Sequence, residues 1–217
     1  MAPRTKFSAA AGTLTAAALL LTACGGGHDK KIASSPTPSD TTASQTTAPP
    51  TTPAADPSAP TFDFPSDVKI TVDSDTTGDK TKDAILRDQG YGQEAMLLAV
   101  TKQDPSIPVF TKYVSETAAE SWIKSVDSDK AAHRTLTGKV RFYDRKVTVS
   151  SATTAGVTFC EDQRYGYDKN TETGKVTLTK ADSQGLIYHS VFMRKAKDGT
   201  WQTATYNSQR GATRCES

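Results

Sequence analysis

The sequence lacks the short motifs that identify most enzymes and metal proteins. Its 217 residues include only three cysteines and three histidines, which stand too far apart in the chain to form a recognisable zinc-binding set. It has no Gly-x-Ser-x-Gly nucleophile motif and no glycine-rich phosphate-binding loop. We therefore predict no catalytic residue, no metal site and no cofactor from motifs alone.

A strong charge of either sign is also absent. Lysine and arginine number 26 against 24 aspartates and glutamates, which gives a net charge of +2. Arg4 and Lys6 account for this excess, so a chain that lost its first residues would be neutral. A nucleic-acid-binding protein needs a basic surface to attract phosphates. We predict no nucleic-acid partner.

No apolar run is long enough to cross a membrane. The longest, residues 9–21, covers about 13 residues, whereas a transmembrane helix needs about 20. It follows a basic start and ends in Leu21-Thr22-Ala23-Cys24, an arrangement typical of a secretory signal. Those last four residues resemble the lipobox of bacterial lipoproteins, in which the cysteine thiol is acylated and the preceding peptide bond is cleaved.

This resemblance implies that residues 1–23 are a removed signal peptide and that Cys24 carries the lipid. The mature protein would then be anchored to the outer face of the cytoplasmic membrane and face the cell wall. A diacylglycerol on sulfur supplies the two acyl chains that stable anchoring requires. An ordinary signal peptide cleaved nearby, which would leave Cys24 unmodified, is the alternative.

Residues 24–60 consist mostly of Ser, Thr, Pro, Ala and Gly. Such a segment cannot bury enough apolar surface to offset the entropy lost on ordering. We therefore predict a lipidated N-terminus that continues as a disordered linker. The remaining residues, 61–217, are enough for one hydrophobic core, and we predict a single domain over this range.

The cysteine count becomes even once Cys24 is assigned to the lipid, because Cys160 and Cys215 then remain as a pair. Outside the cytoplasm such a pair persists as a disulfide. Closing a loop of about 56 residues would stabilise the fold by about 4 kcal/mol. Two free thiols or a redox-active pair are the alternatives, but the close Cys-x-x-Cys spacing of redox sites is missing.

Hydrophobic spacing is helical before Arg134, apart from a short alternating segment. Alternation over residues 68–72 predicts an edge strand or an extended arm. Asp79 predicts the N-cap of a helix that runs to about Thr101. A second helix is predicted to begin at Ser115 or at the capping box Thr117-x-x-Glu120.

After Arg134 the spacing changes to alternation, and four strand-like runs follow. The alternation reverses near Asp144, which predicts a bulge or sharp bend there. Asp198-Gly199 predicts a hairpin turn. Helices followed by a meander of strands predict an α+β fold, with N-terminal helices packed on a curved antiparallel sheet of about four to six strands.

This order of elements resembles the cone-shaped nuclear transport factor 2-like fold, a cystatin-like architecture. The chain as a whole resembles small lipoproteins of Gram-positive actinobacteria that have no assigned activity. The features that carry the second resemblance are the lipobox, the Thr/Pro-rich linker, Thr77-Gly78-Asp79, Cys160-Glu161-Asp162-Gln163, and Arg210-Gly211 followed by Cys215.

The fold resemblance implies a pocket between the sheet and the helices. Aromatic residues and one histidine are candidates to line it: Tyr91, Trp122, Tyr143 and His189, with Tyr188 and Trp201 as further aromatics. The alternative is that the aromatic residues simply fill the core. His189 would be a general base or a pH sensor if it faced the pocket, and a structural residue otherwise.

Glu161 and Asp162 are a weaker candidate for an acid pair or a calcium site. Neighbouring residues of a regular strand point to opposite faces, so these two carboxylates should not converge on one ligand. We interpret them as marking the point where the strand leaves the core.

Together these inferences favour a membrane-anchored extracytoplasmic lipoprotein that acts as a binding or envelope-accessory module rather than as an enzyme. Its predicted partners are the membrane, through the lipid, and either a small apolar ligand or an envelope protein. The alternative is a small-pocket enzyme of the same fold, an isomerase or a hydrolase.

Overall fold

The computed structural model describes residues 59–216. The predicted signal peptide, the predicted lipid attachment at Cys24 and nearly all of the predicted linker lie outside the described residues. Within residues 59–216, no helix has both the length and the apolar character needed to span a membrane.

Three helices and six strands make up the domain, which confirms the α+β class. The helices are α1 (Lys80–Lys102), α2 (Pro108–Tyr113) and α3 (Glu116–Ala131). The strands are β1 (Val68–Val72), β2 (Arg134–Val149), β3 (Thr154–Asn170), β4 (Val176–Thr177), β5 (Leu186–Lys195) and β6 (Trp201–Arg210). Single 3-10 turns cover Ser183–Gly185 and Thr213–Cys215. The three helices precede five of the strands, as the change in hydrophobic spacing predicts.

The sheet has the strand order β1-β2-β3-β5-β6, with β4 paired to the far end of β3. Strand β1 is at the edge, as predicted, but it runs parallel to β2, with Val68 opposite Gly138. The prediction of an entirely antiparallel sheet is therefore wrong at this edge. The three helices separate β1 from β2 in the chain, and a connection of that length can return the chain in the same direction, which a tight hairpin cannot.

Helix α1 begins directly after Asp79, whose carboxylate accepts hydrogen bonds from the backbone N–H groups of Thr81 and Lys82 at 2.8 and 3.0 Å. The predicted N-cap is therefore present. Gly90 in the middle of this helix allows a close approach, because a Cβ atom there would lie 3.0 Å from Nη1 of Arg145. The helix consequently packs tightly against the β1–β2 edge of the sheet.

The bulge predicted near Asp144 is present in β2. The register of β2 against β3 shifts there, and Asp144 has a φ of 50°. Phe142 before the bulge and Val147 after it therefore both pack in the core between sheet and helices. The bulge also buries Arg145, whose side chain is 5% exposed and whose Nη1 donates to the carbonyl of Leu86 at 2.8 Å.

The sheet has two distinct surfaces, which we call the helix face and the tail face. The helix face packs against α1 and α3 and carries the main core, including Phe142, Phe159 and Trp201. The tail face carries Cys160, which alternation places opposite to Phe159, and the C-terminal Ala212 packs there.

The predicted cysteine pair lies on the tail face. Cys160 and Cys215 are at disulfide-bonding distance, with their Cα atoms 5.6 Å apart. Both residues are buried in a small cluster with Tyr143, Leu186 and Ala212. The C-terminal segment is thus held against the sheet.

Candidate functional site

A buried histidine and a buried glutamate meet on the helix face. Glu161 of β3 has the same parity as Phe159 and faces the helices. His189 of β5 lies directly opposite Phe159 in the register, so Glu161 is its diagonal neighbour, at a separation that long side chains can span. Nε2 of His189 and Oε2 of Glu161 are 2.7 Å apart, and the two side chains are 4% and 10% exposed.

The two imidazole nitrogens have different surroundings. With Glu161 ionised, its carboxylate can only accept, so Nε2 of His189 donates to it. Nδ1 of His189 is buried and has no hydrogen-bond partner among residues 59–216. A neutral imidazole held in this way can accept a hydrogen bond or a proton at Nδ1.

Aromatic rings hold the imidazole in place. The His189 ring stacks on Phe159 with centroids 4.7 Å apart, and it meets the ring of Tyr206 edge-on at 5.0 Å. The Tyr206 hydroxyl donates to Oε1 of Gln93 on α1 at 2.9 Å. Burial, and next the nearby charge of Glu161, raise the pKa of Tyr206 well above its ordinary value. Tyr206 therefore stays protonated and keeps its role as a donor to Gln93.

The pair lies at a cavity of about 370 Å³ between the helices and strands β3, β5 and β6. Its lining combines apolar or aromatic side chains, serine hydroxyls and a few charged or amide groups: Leu97, Trp122, Ile187 and Tyr206; Ser121, Ser125 and Ser208; Glu161, Gln163, His189 and Arg210. Small-molecule sites typically have volumes of roughly 300–1,000 Å³ and this mixture of apolar walls with a few polar groups. The cavity is therefore suited to a small ligand.

Two of the four predicted pocket residues share this cavity, Trp122 and His189. The structure does not bring Tyr91 and Tyr143 to it. Tyr91 lies on α1 with its ring 5.5 Å from that of Tyr113, beside a separate cavity. Tyr143 is buried on the tail face, because it follows Phe142 in β2 and strand alternation turns it to the other side. Of the four residues predicted to line one pocket, two therefore do so and two lie elsewhere.

Sequence reasoning missed Glu161 as a partner of His189. The interpretation that Glu161 and Asp162 mark where the strand leaves the core agrees with the burial of β3, because Glu161 is its last buried residue and the strand continues to Asn170 with half-buried and exposed residues. Parity with Phe159 was the signal that could have placed Glu161 on the helix face. Asp162 points away from Glu161 and binds Arg164 at 2.7 Å, as the argument from strand alternation requires.

A partly buried carboxylate, Glu94, lies on α1 at the other end of the sheet. Glu94 of α1 lines a small cavity of about 230 Å³ together with Gly90 and Arg145. Burial raises the pKa of Glu94 to about 7, although the nearby charge of Arg145 acts in the opposite direction. In the part of the chain that the structure describes, no cluster of three His, Cys, Asp or Glu side chains could hold a metal ion.

Comparisons with known proteins identify no family. No family model matches the sequence, and no curated protein matches it. Among solved structures, the chain is similar to a ketosteroid isomerase-like protein from Erwinia carotovora atroseptica, with 21% identity, coverage of 55% of this chain and 90% of that one, and a TM-score of 0.36. It is similar to the intermembrane space region of the chloroplast protein ARC6, with 12% identity, coverage of 57% and 92%, and a TM-score of 0.38. It is also similar to a protein from Catenulispora acidiphila, with 11% identity, coverage of 60% and 94%, and a TM-score of 0.37. At these values the likenesses assign neither a family nor an activity to the chain.

Proposed function

We propose that the folded domain is an extracytoplasmic binding module that holds a small molecule in the cavity between the helices and the sheet. The observation that carries this proposal is the His189–Glu161 pair, which lies on that cavity with Nδ1 of His189 buried and without a partner. A ligand with a hydroxyl or amide group would supply the missing hydrogen bond. Leu97, Trp122 and Ile187 would contact its apolar part.

Energetics support a role in binding rather than in folding alone. Taking a polar pair out of water is costly, and an apolar pair of similar size often stabilises a fold equally well. A buried polar atom left without a partner costs about 1–3 kcal/mol. The domain thus carries an unfavourable arrangement in a cavity, and a ligand that completes the hydrogen bonding would remove part of that cost.

We further propose that this module has the nuclear transport factor 2-like architecture and belongs to a lipoprotein anchored through Cys24. The order of helices and strands supports the first assignment, and Leu21-Thr22-Ala23-Cys24 supports the second. Anchoring would place the cavity outside the cytoplasm, within reach of molecules of the membrane and cell wall.

Ligand capture tests the binding proposal. The full chain is incubated with an extract of the cell envelope, and retained small molecules are identified by mass spectrometry. We expect a retained compound that decreases at least tenfold in His189→Ala and in Trp122→Ala. Tyr91→Ala, an aromatic substitution outside this cavity, serves as the matched control and should retain the compound. Equal retention by His189→Ala, or no retained compound at all, would contradict the proposal.

Intact-mass spectrometry of the native protein tests the anchor. The proposal requires a mature chain that begins at Cys24 and carries the added mass of a diacylglycerol and fatty acids. Cys24→Ser should abolish that mass and release the protein from membranes. A chain that still begins at Met1, or one that begins elsewhere without added lipid, excludes it.

A second candidate function is proton-transfer catalysis, such as the isomerisation of a small ketone. The unpartnered Nδ1 favours it, because Glu161 would orient His189 and stabilise the imidazolium formed when Nδ1 takes a proton from a substrate carbon. Deuterium exchange next to the carbonyl of 3-cyclohexen-1-one, followed by NMR in deuterated water, tests this. Exchange should disappear in His189→Gln and decrease in Glu161→Gln. Exchange that is equal in wild type and His189→Gln would exclude His189 as the base.

A further inference from the structure

The open end of the cavity carries an arginine. Along β6, Ser208 lies opposite His189 and Arg210 lies opposite Ile187. Arg210 is therefore two residues further along the sheet than His189, a distance of about 7 Å along a strand. It is solvent-exposed and contributes to the lining of the same cavity.

The charge of Arg210 is not neutralised by the chain. Within residues 59–216, no carboxylate oxygen lies within 4.0 Å of its guanidinium. Every other arginine in that range has a carboxylate or an aromatic ring as a partner; Arg214, for example, lies 4.3 Å from the ring centroid of Tyr188. Arg210 differs from all of them in this respect.

A neutral side chain orients Arg210 instead. The amide of Gln163 on β3 faces the guanidinium, and with its oxygen oriented toward these donors it accepts from both terminal nitrogens. An amide oxygen uses up donors without cancelling the charge. The guanidinium is thus held in position at the cavity and keeps its capacity to bind an anion, for which its planar arrangement of donors matches a carboxylate.

The interior of the cavity excludes a second anion. Glu161 already places a carboxylate beside His189, and like charges brought together in a poorly solvated site repel each other strongly. A negatively charged group on a ligand would therefore avoid the His189 end. Leu97, Trp122 and Ile187 provide the apolar contacts of the cavity.

We propose that the ligand of this cavity is an apolar molecule that bears a carboxylate, which binds Arg210, while a hydroxyl or carbonyl oxygen of the same molecule reaches toward His189. This assignment rests on the proposed binding function and adds the chemical class of the ligand. It also fixes the orientation, with the anion at the exposed end of the cavity.

A matched pair of probes tests the assignment in the full chain. 2-Naphthylacetate and 2-naphthylacetamide have the same ring system and differ in charge, and their affinities are measured by isothermal titration calorimetry. We expect the acid to bind at least tenfold more tightly than the amide at 50 mM salt, with a smaller ratio at 500 mM because salt screens the exposed guanidinium. Arg210→Gln should lower the affinity of the acid to that of the amide and leave the amide unaffected.

Arg214→Gln is the control, since it removes the same charge four residues away on the tail face and should preserve the preference for the acid. Equal affinity of acid and amide for the wild type, or a preference that survives in Arg210→Gln, would overturn the carboxylate assignment. If both probes bind and both are lost in Trp122→Ala, the binding function stands while the ligand class fails. Binding of neither probe also overturns the ligand class, and ligand capture from the envelope extract then decides the binding function separately.

Discussion

The two faces of the sheet satisfy their polar groups to different extents. On the tail face, the Tyr143 hydroxyl donates to the carbonyl of Cys215, and Arg214 covers the ring of Tyr188. In the described part of the chain, the buried side-chain atoms without a hydrogen-bond partner all lie on the helix side: Nε2 of Gln89 and Gln93, Oγ of Ser115 and Nδ1 of His189. Such atoms are rare in native proteins because each costs free energy. In the described part of the chain, the tail face therefore has no such buried unpaired atom, whereas the helix face has four, of which Nδ1 of His189 lies at the cavity.

Removing the cysteine pair tests the stabilising role of the tail face and has the largest expected effect. Cys160→Ser combined with Cys215→Ser opens a loop with a sequence separation of 55. We expect the free energy of unfolding to fall by about 4 kcal/mol, measured by urea denaturation. Ligand affinity of the folded fraction should not change, because the cysteines lie on the face opposite the cavity. Cys24→Ser is the control and should unfold like the wild type. A parallel loss of affinity in the double variant would show that the two faces are coupled.

Variants of the His189–Glu161 pair test whether burying these polar groups at the cavity lowers the free energy of unfolding relative to an apolar pair. Glu161→Leu or His189→Phe alone leaves the other group buried without a partner, so each should lower the free energy of unfolding by about 1–3 kcal/mol. The double variant replaces the pair with apolar groups and should recover to within about 1 kcal/mol of the wild type. It should nevertheless lose ligand binding.

A matched control for this cycle is the more exposed pair Arg134–Asp129, whose side chains are 44% and 18% exposed. A cycle of Arg134→Gln and Asp129→Asn should give a coupling energy below about 1 kcal/mol. If the double variant of His189 and Glu161 is as unstable as the single variants, the pair serves folding, and the contrast between the two faces disappears.

Local features of the fold could be predicted because they depend on a few neighbouring residues. The N-cap at Asp79, the bulge at Asp144 and the turn at Asp198-Gly199 each follow from side-chain chemistry or from a reversal of alternation. The parallel pairing of β1 could not be predicted, since it depends on the path of the chain through three intervening helices.

Only part of the candidate site could be predicted, because the site also depends on which strands pair with each other. Alternation gives the face on which a strand residue lies, but it does not give the neighbouring strand. Glu161 meets His189 because β5, and not the short β4, pairs with the middle of β3. Tyr143 was assigned to the pocket from its residue type, although its position next to Phe142 places it on the tail face.

Glu94 provides the test with the smallest expected effect, because it is a carboxylate on α1 whose partial burial is unfavourable to its charged form. Burial, opposed by the charge of Arg145, raises its pKa from 4.5 to about 7, so the folded state favours the protonated carboxyl. The stability contributed by the protonated carboxyl of Glu94 is fully present below pH 4.5 and is lost as the pH rises through 7. Glu94→Gln should therefore unfold with a stability that falls less between pH 5 and pH 8 than that of the wild type. The difference should be about 1 kcal/mol after allowance for solvent screening of a partly exposed group, measured by urea denaturation at each pH.

Identical pH dependence in the two proteins would mean that Glu94 is as well solvated as a surface carboxylate, and the unfavourable burial would then be confined to the cavity beside His189.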